Sequence, residues 1–190
     1  MDYYKPVKIE CAELIKSRTL EYMNQFKLKP FSDRLVYTKN VQFTEQDTKT
    51  INEEFQDKGL SKIVDVLSFK RWQRNKFHRD YCHLDGHDDL IYNASIVIPI
   101  SGCKGTEQYW YDGDYEITMI ATEGVKYFIP KWKTEGKLVA SVSIVDTPML
   151  CRVNIPHNAY SNGFEPRLTC TLRFEKNETF EEIYQKLSED

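Results

Sequence analysis

The spacing of apolar positions changes character at about Lys62. Before it, Ile9, Ala12, Ile15, Tyr22, Met23 and Phe26 recur at three- and four-residue intervals, which predicts an amphipathic helix over 9–26 with one buried stripe. Pro30 bars its continuation. After a short extended piece at 34–37, Thr44 with Asp47 three residues later has the form of a helix-starting cap. It predicts a polar helix to about Lys58 that stops at Gly59 and turns a mostly charged face to solvent. From Lys62 onward the period shortens to two. Runs at 63–72, 76–83, 90–100, 107–111, 115–121, 126–129, 138–146, 149–155 and 167–174, punctuated by Gly, Pro, Asn or Asp, predict short strands. Their even spacing without intervening helices points to an antiparallel sandwich or barrel rather than βαβ units. Phe180, Ile183, Tyr184 and Leu187 return to helical spacing and predict a final helix over 179–187 that packs back on the body.

The last strand is the most informative about architecture. Leu168, Cys170, Leu172 and Phe174 alternate with Arg167, Thr169, Thr171 and Arg173, so one face is apolar and the other polar. In a small barrel with helices packed outside, the apolar face lies under the helices and the polar face lines the cavity. Arg167 then points inward.

Composition narrows the picture without changing it. A chain of 190 residues fits one domain, large enough to bury about 70 % of its unfolded surface. The expected division is 1–75 as helical and extended support, 76–175 as barrel core and 176–190 as C-terminal helix. A net charge of -3 gives no general attraction to phosphate backbones. The densest basic stretch, Lys126 to Lys137 around Trp132, is diluted by Glu123 and Glu135 and reads as a solvated face. Five cysteines (Cys11, Cys82, Cys103, Cys151 and Cys170) are an odd number without a close CxxC pair, so neither a disulfide framework nor a thiolate zinc knuckle is expected. That usage suits a reducing compartment. With no cationic start leading into an apolar run and no stretch approaching a membrane span, a cytoplasmic location is expected.

Candidate chemistry comes from the histidines. Of four, three have an Asp two positions on: His78 with Asp80, His83 with Asp85, and His87 with Asp89. On a strand, residues i and i+2 share a side, so each pair offers two ligands to one ion. His83 shares its side with Phe77 and Tyr81, whereas His78 and Asp80 share theirs with Lys76, and His87 falls in a polar stretch that reads as loop. Parity thus favours His83 and Asp85 as the inward pair, although a sheet covered by helices has two buried faces and all three pairs stay open. His157 closes the alternation Cys151, Val153, Ile155, directly after Pro156. Two imidazoles and one carboxylate fill one face of an octahedron and leave the opposite positions free, a ligand set suited to a catalytic ferrous ion. Ten residues further, Arg167 needs an anion if it is buried. Its planar fork fits a carboxylate, and the hydroxyl of Thr169 lies on the same face.

At His83, Asp85, His157, Arg167 and Thr169, in that order and spacing, the sequence resembles the Fe(II)- and 2-oxoglutarate-dependent oxygenase superfamily, over about the half of the chain from Lys76 to Phe174. The resemblance implies a mainly β fold, a double-stranded β-helix (a jelly-roll or cupin-like barrel) with N-terminal helices outside and a short C-terminal helix. It implies Fe(II) held by His83, Asp85 and His157, with 2-oxoglutarate as cosubstrate paired to Arg167 and Thr169. It also implies a dioxygenase, a hydroxylase of an unidentified substrate, that consumes O2 and decarboxylates 2-oxoglutarate to succinate. Asn93 is a further polar contact for the cosubstrate or a structural hydrogen-bonder, and Tyr109, Trp110 and Tyr111 form the mouth of the pocket or a simple aromatic hairpin. The alternatives are a cupin-type isomerase or hydrolase using the same three ligands, and a non-catalytic module stabilised by metal.

Overall fold

The computed structural model describes residues 1–26, 36–71, 82–87, 90–122, 125–161 and 165–189. Thirteen strands and three helices are assigned among them: β1 (Tyr4–Pro6), α1 (Ala12–Asn24), β2 (Val36–Asn40), α2 (Glu45–Asp57), β3 (Ile63–Arg71), β4 (Leu84–His87), β5 (Leu90–Ile91), β6 (Ala94–Ser101), β7 (Thr106–Asp112), β8 (Tyr115–Thr122), β9 (Val125–Trp132), β10 (Lys137–Ser143), β11 (Met149–Arg152), β12 (His157–Ser161), β13 (Arg167–Phe174) and α3 (Phe180–Ser188). The fold is mainly β. A six-stranded sheet runs β1-β11-β6-β13-β3-β2, a three-stranded sheet β10-β7-β12 and a four-stranded sheet β5-β4-β9-β8. All strand pairings are antiparallel. Three of the strands in the large sheet, β1 to β3, come from the first 75 residues, the stretch read from the sequence as support.

Alternation along β13 sorts the large sheet into two faces. Cys170, Leu172 and Phe174 join Val66, Ile96, Ile98 and Leu150 in a cluster with Ile15 of α1, Ile51 and Phe55 of α2, and Phe180, Ile183 and Leu187 of α3. All three helices therefore contribute to the core on one side of the sheet, and Phe55 meets the Phe174 ring edge-on at 5.4 Å. On the other side, Val97, Met149 and Cys151 pack against Trp110 and Ile144 to form a second apolar cluster between the layers. The inward side chains Arg167, Thr169, Thr171 and Arg173 are all buried.

Local chemistry explains the helix ends. Thr44 accepts from the Asp47 amide, and the Asp47 carboxylate accepts from the Thr44 amide. Thr179 and Glu182 repeat this reciprocal arrangement at α3. Loss of such a cap costs about 1 kcal/mol. Thr44→Ala is therefore expected to lower unfolding free energy by about that amount in urea titrations, with the denaturant dependence unchanged.

Several boundaries differ from the sequence reading. Of the run at 76–83, residues 76–81 lie outside the described ones, as does the His78–Asp80 pair. Gly86 and His87, read as loop, belong to β4, where they pair with Ile91 and Leu90. The run at 149–155 ends at Arg152. Pro156 has no amide hydrogen to continue a ladder, and His157 instead begins β12, a strand in the three-stranded sheet. Its sequence, His-Asn-Ala-Tyr-Ser, has neither β-branched residues nor a clear apolar alternation, so it gave no strand signal. No helix among the described residues is long and apolar enough to cross a membrane.

Candidate metal centre

The two histidines meet through the backbone. The His83 amide donates to the His157 carbonyl and the His157 amide to the His83 carbonyl, both at 3.0 Å, an isolated antiparallel bridge between the entrance of β4 and the start of β12. Opposed residues in such a pair project to the same side, and the ring centroids are 4.5 Å apart. Asp85, two residues along, keeps this side, and its amide donates to Val153 O at 3.1 Å.

His83 Nε2 lies 3.6 Å and His157 Nε2 4.0 Å from Asp85 Oδ1. The three residues each offer a donor atom within 4.8 Å of the others. Ligands about 2.1 Å from a shared ion are at most about 4.2 Å apart, and about 3 Å apart when they occupy one octahedral face. The two separations from Asp85 Oδ1 exceed the octahedral-face value by about 1 Å or less, and the third, within 4.8 Å, closes as the two imidazole rings turn toward each other. Two further features suit the donor set to an ion. Asp85 Oδ1 is buried with no hydrogen-bond partner, and the other ring nitrogen of His157, Nδ1, is 2.9 Å from Ile155 O. That carbonyl fixes the proton on Nδ1 and leaves Nε2 as the free donor.

The electrostatics are those of a ligand set ready at neutral pH. Burial would raise the Asp85 carboxyl, but Arg173, His157 and His83 outweigh it and hold it below its usual value. Burial lowers the His157 imidazole, with Asp85 opposing, so it is neutral at pH 7. Carboxylate and neutral imidazole are the forms that bind metal. The side chains of Asp85 and His157 are 5 % and 6 % exposed and that of His83 is 26 % exposed, so the cluster opens to solvent at His83.

Arg167 is buried on the inward face of β13, and its Nε has no hydrogen-bond partner. Among the described residues no carboxylate pairs with it, and burial depresses its pKa, with Cys103 and Cys151 opposing. Burial pushes the Cys151 thiol up, Arg167 draws it down and Asp85 pushes it further up. One buried sulfur therefore lies within electrostatic reach of both the guanidinium and the carboxylate of the cluster. Thr169, almost fully buried, follows Arg167 on the same face.

Asn93 is engaged elsewhere. Its amide nitrogens donate to Asn177, the backbone at 2.7 Å and the side chain at 3.0 Å, and its Oδ1 accepts from Asn154 at 3.2 Å. These contacts tie the start of β6 to the loop before α3, which is the structural role left open by the sequence. Trp110 is wholly buried opposite His157 in β7, stacked on Tyr4 with its indole donating to Arg152 O at 2.8 Å. It supports the strand that carries His157. Lys131, Lys133 and Lys137 are exposed, and Lys133 pairs with Glu116 at 2.9 Å.

The sequence matches no protein-family model and no curated protein. Two solved structures are weakly similar. A prolyl-4-hydroxylase from Pseudomonas putida aligns over 91 % of this chain and 92 % of its own, with a TM-score of 0.41 and 14 % identity. Escherichia coli ycfD aligns over 80 % of this chain with a TM-score of 0.40 and 10 % identity, and the match spans only 38 % of its length. Likeness at this level is too weak to bear on chemistry, which has to be read from the side chains.

Sequence reasoning passed over two residues at the centre. Gly86 has no room for a side chain: a Cβ there would lie 2.0 Å from Phe128 Cε2 and 2.6 Å from Leu90 O. The ring of Phe128, opposite Leu84 in β9, thus presses on the strand immediately beside Asp85. Gly86→Ala is expected to cost about 1–3 kcal/mol by overpacking and to weaken cobalt uptake, measured by melting and by calorimetric titration. Arg173 is the other, and the inward alternation of β13 already pointed to it.

Proposed function

We propose that this chain is an Fe(II)- and 2-oxoglutarate-dependent oxygenase, a hydroxylase in reaction type, with His83, Asp85 and His157 as the metal ligands. The observation that carries the reading is the conjunction of that cluster with a buried guanidinium, Arg167, that has no acid of its own among the described residues. An ion alone would account for the cluster, and an isomerase or hydrolase built on it would leave Arg167 without an anion. A dicarboxylic cosubstrate accounts for both.

In this reading Arg167 receives the far carboxylate of 2-oxoglutarate in two parallel hydrogen bonds, and Thr169 adds its hydroxyl. Burial makes that pairing strong, because little water competes for the guanidinium. His157 is held in the donor tautomer by Ile155 O, and Asp85 supplies the negative charge that favours a divalent ion. Bound iron would supply the oxidising chemistry, coupling decarboxylation of the cosubstrate to succinate with hydroxylation of a second substrate. The chain's own part is to hold ligands, orient the acid and keep water out; the opening beside His83 is the side from which a substrate reaches the centre.

The test is turnover. Protein incubated aerobically with ferrous ion, ascorbate and 2-oxoglutarate should form succinate slowly even without its substrate, detected by proton NMR. Succinate no greater than in a protein-free control, together with no change in the melting temperature on adding cobalt and 2-oxoglutarate, would sink the proposal.

A further inference from the structure

Arg173 is 1 % exposed and carries a charge that neither ligand nor cosubstrate binding uses. Its Nη1 donates to Gly86 O at 3.4 Å, and its Nη2 stands 3.7 Å from Asp85 Oδ2, within ion-pair reach but beyond hydrogen-bond distance. The guanidinium lies 5.1 Å over the ring of Tyr92, and Nε and Nη2 have no hydrogen-bond partner. The two oxygens of Asp85 are thereby separated in duty: Oδ2 faces Arg173, while Oδ1 faces the nitrogens of His83 and His157 at 3.6 and 4.0 Å.

The division matters because a carboxylate that is free to turn can grip an ion through one oxygen or through both. Two-oxygen binding would occupy a position that the cosubstrate or oxygen needs. We propose that Arg173 is a positioning residue that engages Oδ2 from behind, so that Asp85 presents a single oxygen to the metal. The Gly86 carbonyl and the Tyr92 face hold the guanidinium in place, which makes the fork, and not only its charge, the working part. The inference rests on the metal reading of the cluster.

Positioning and simple charge make opposite forecasts. A fixed positive charge repels a dication, so if charge were the whole effect, a neutral side chain of similar size would tighten metal binding. If Arg173 positions Asp85, Arg173→Met should weaken cobalt(II) binding roughly 10–100-fold, the usual cost of losing a residue that orients a ligand, and alter the visible absorption of the bound cobalt. Arg173→Lys, which keeps the charge without the fork, should retain most of that loss. Calorimetric titration and absorption spectra of the full chain measure both, with circular dichroism confirming the fold. Binding in Arg173→Met that is as tight as, or tighter than, that of the parent with an unchanged spectrum overturns the inference, and so does full recovery in Arg173→Lys. Should Arg173→Met fail to fold, Tyr92→Leu decides: it withdraws the ring from the guanidinium and must shift the cobalt spectrum, and an unshifted spectrum with parental affinity overturns the inference. If the parent chain itself binds no cobalt, the metal reading falls as well; if it binds and Arg173→Met behaves identically, only the role of Arg173 is lost.

Discussion

His157→Ala is expected to abolish succinate formation and to weaken cobalt binding by more than the 10–100-fold that loss of a supporting residue costs. On the proposed reading the imidazole is one of three donors, and the structure offers no ready substitute among the described residues, because the exposed side of the cluster already belongs to His83. The result is interpretable because the fold should survive. His157 meets His83 through backbone amides on both sides, and these remain in the alanine variant. Calorimetry with cobalt, succinate detection by NMR and a thermal melt separate loss of the ion from loss of the fold. A variant with parental cobalt affinity would remove His157 from the ligand set.

Arg167→Met should move function and stability in opposite directions. Truncating one partner of a buried charge pair costs about 2–5 kcal/mol, so 2-oxoglutarate affinity should fall roughly thirty- to four-thousandfold while cobalt affinity is nearly unchanged. The ligand-free protein should become more stable. An internal guanidinium with no acid among the described residues costs free energy that an apolar side chain of similar length does not, by the several kcal/mol that burying an uncompensated charge costs. For a domain of this size each kcal/mol raises the melting temperature by roughly 2–4 °C. Melting with and without 2-oxoglutarate reads both effects. A variant that melts lower without ligand, or that keeps the parental shift with it, would show that Arg167 has another partner.

The parts of the fold legible in the sequence are those set by local spacing. Alternation along 167–174 placed Arg167, Thr169, Thr171 and Arg173 on one face and the residues under the helices on the other, and the structure puts Cys170, Leu172 and Phe174 in the cluster with the helices, while Leu168, next to a register shift, is buried outside it. Thr44 and Asp47 announced α2 because a cap is closed within four residues. Parity likewise joined His83 to Asp85, which the structure brings together with His157. What escaped depends on partners distant in the chain. β12 is a strand because β7 lies beside it, not because His-Asn-Ala-Tyr-Ser favours extension. Gly86 is required by Phe128, forty-two positions away, and Arg173 takes its meaning from Asp85 across the interior. Asn93 is polar for the sake of Asn177 and Asn154.

The reciprocal pair of amide bonds between His83 and His157 has a consequence for how the centre fills. Two of the three donors are spaced by main chain before any ion arrives, so loading requires little more than small adjustments of side-chain torsions. The ordering entropy of that part of the centre is met during folding rather than at capture. On the proposed metal reading the chain is thus a socket preset by its strands, and emptying it should leave those strands standing.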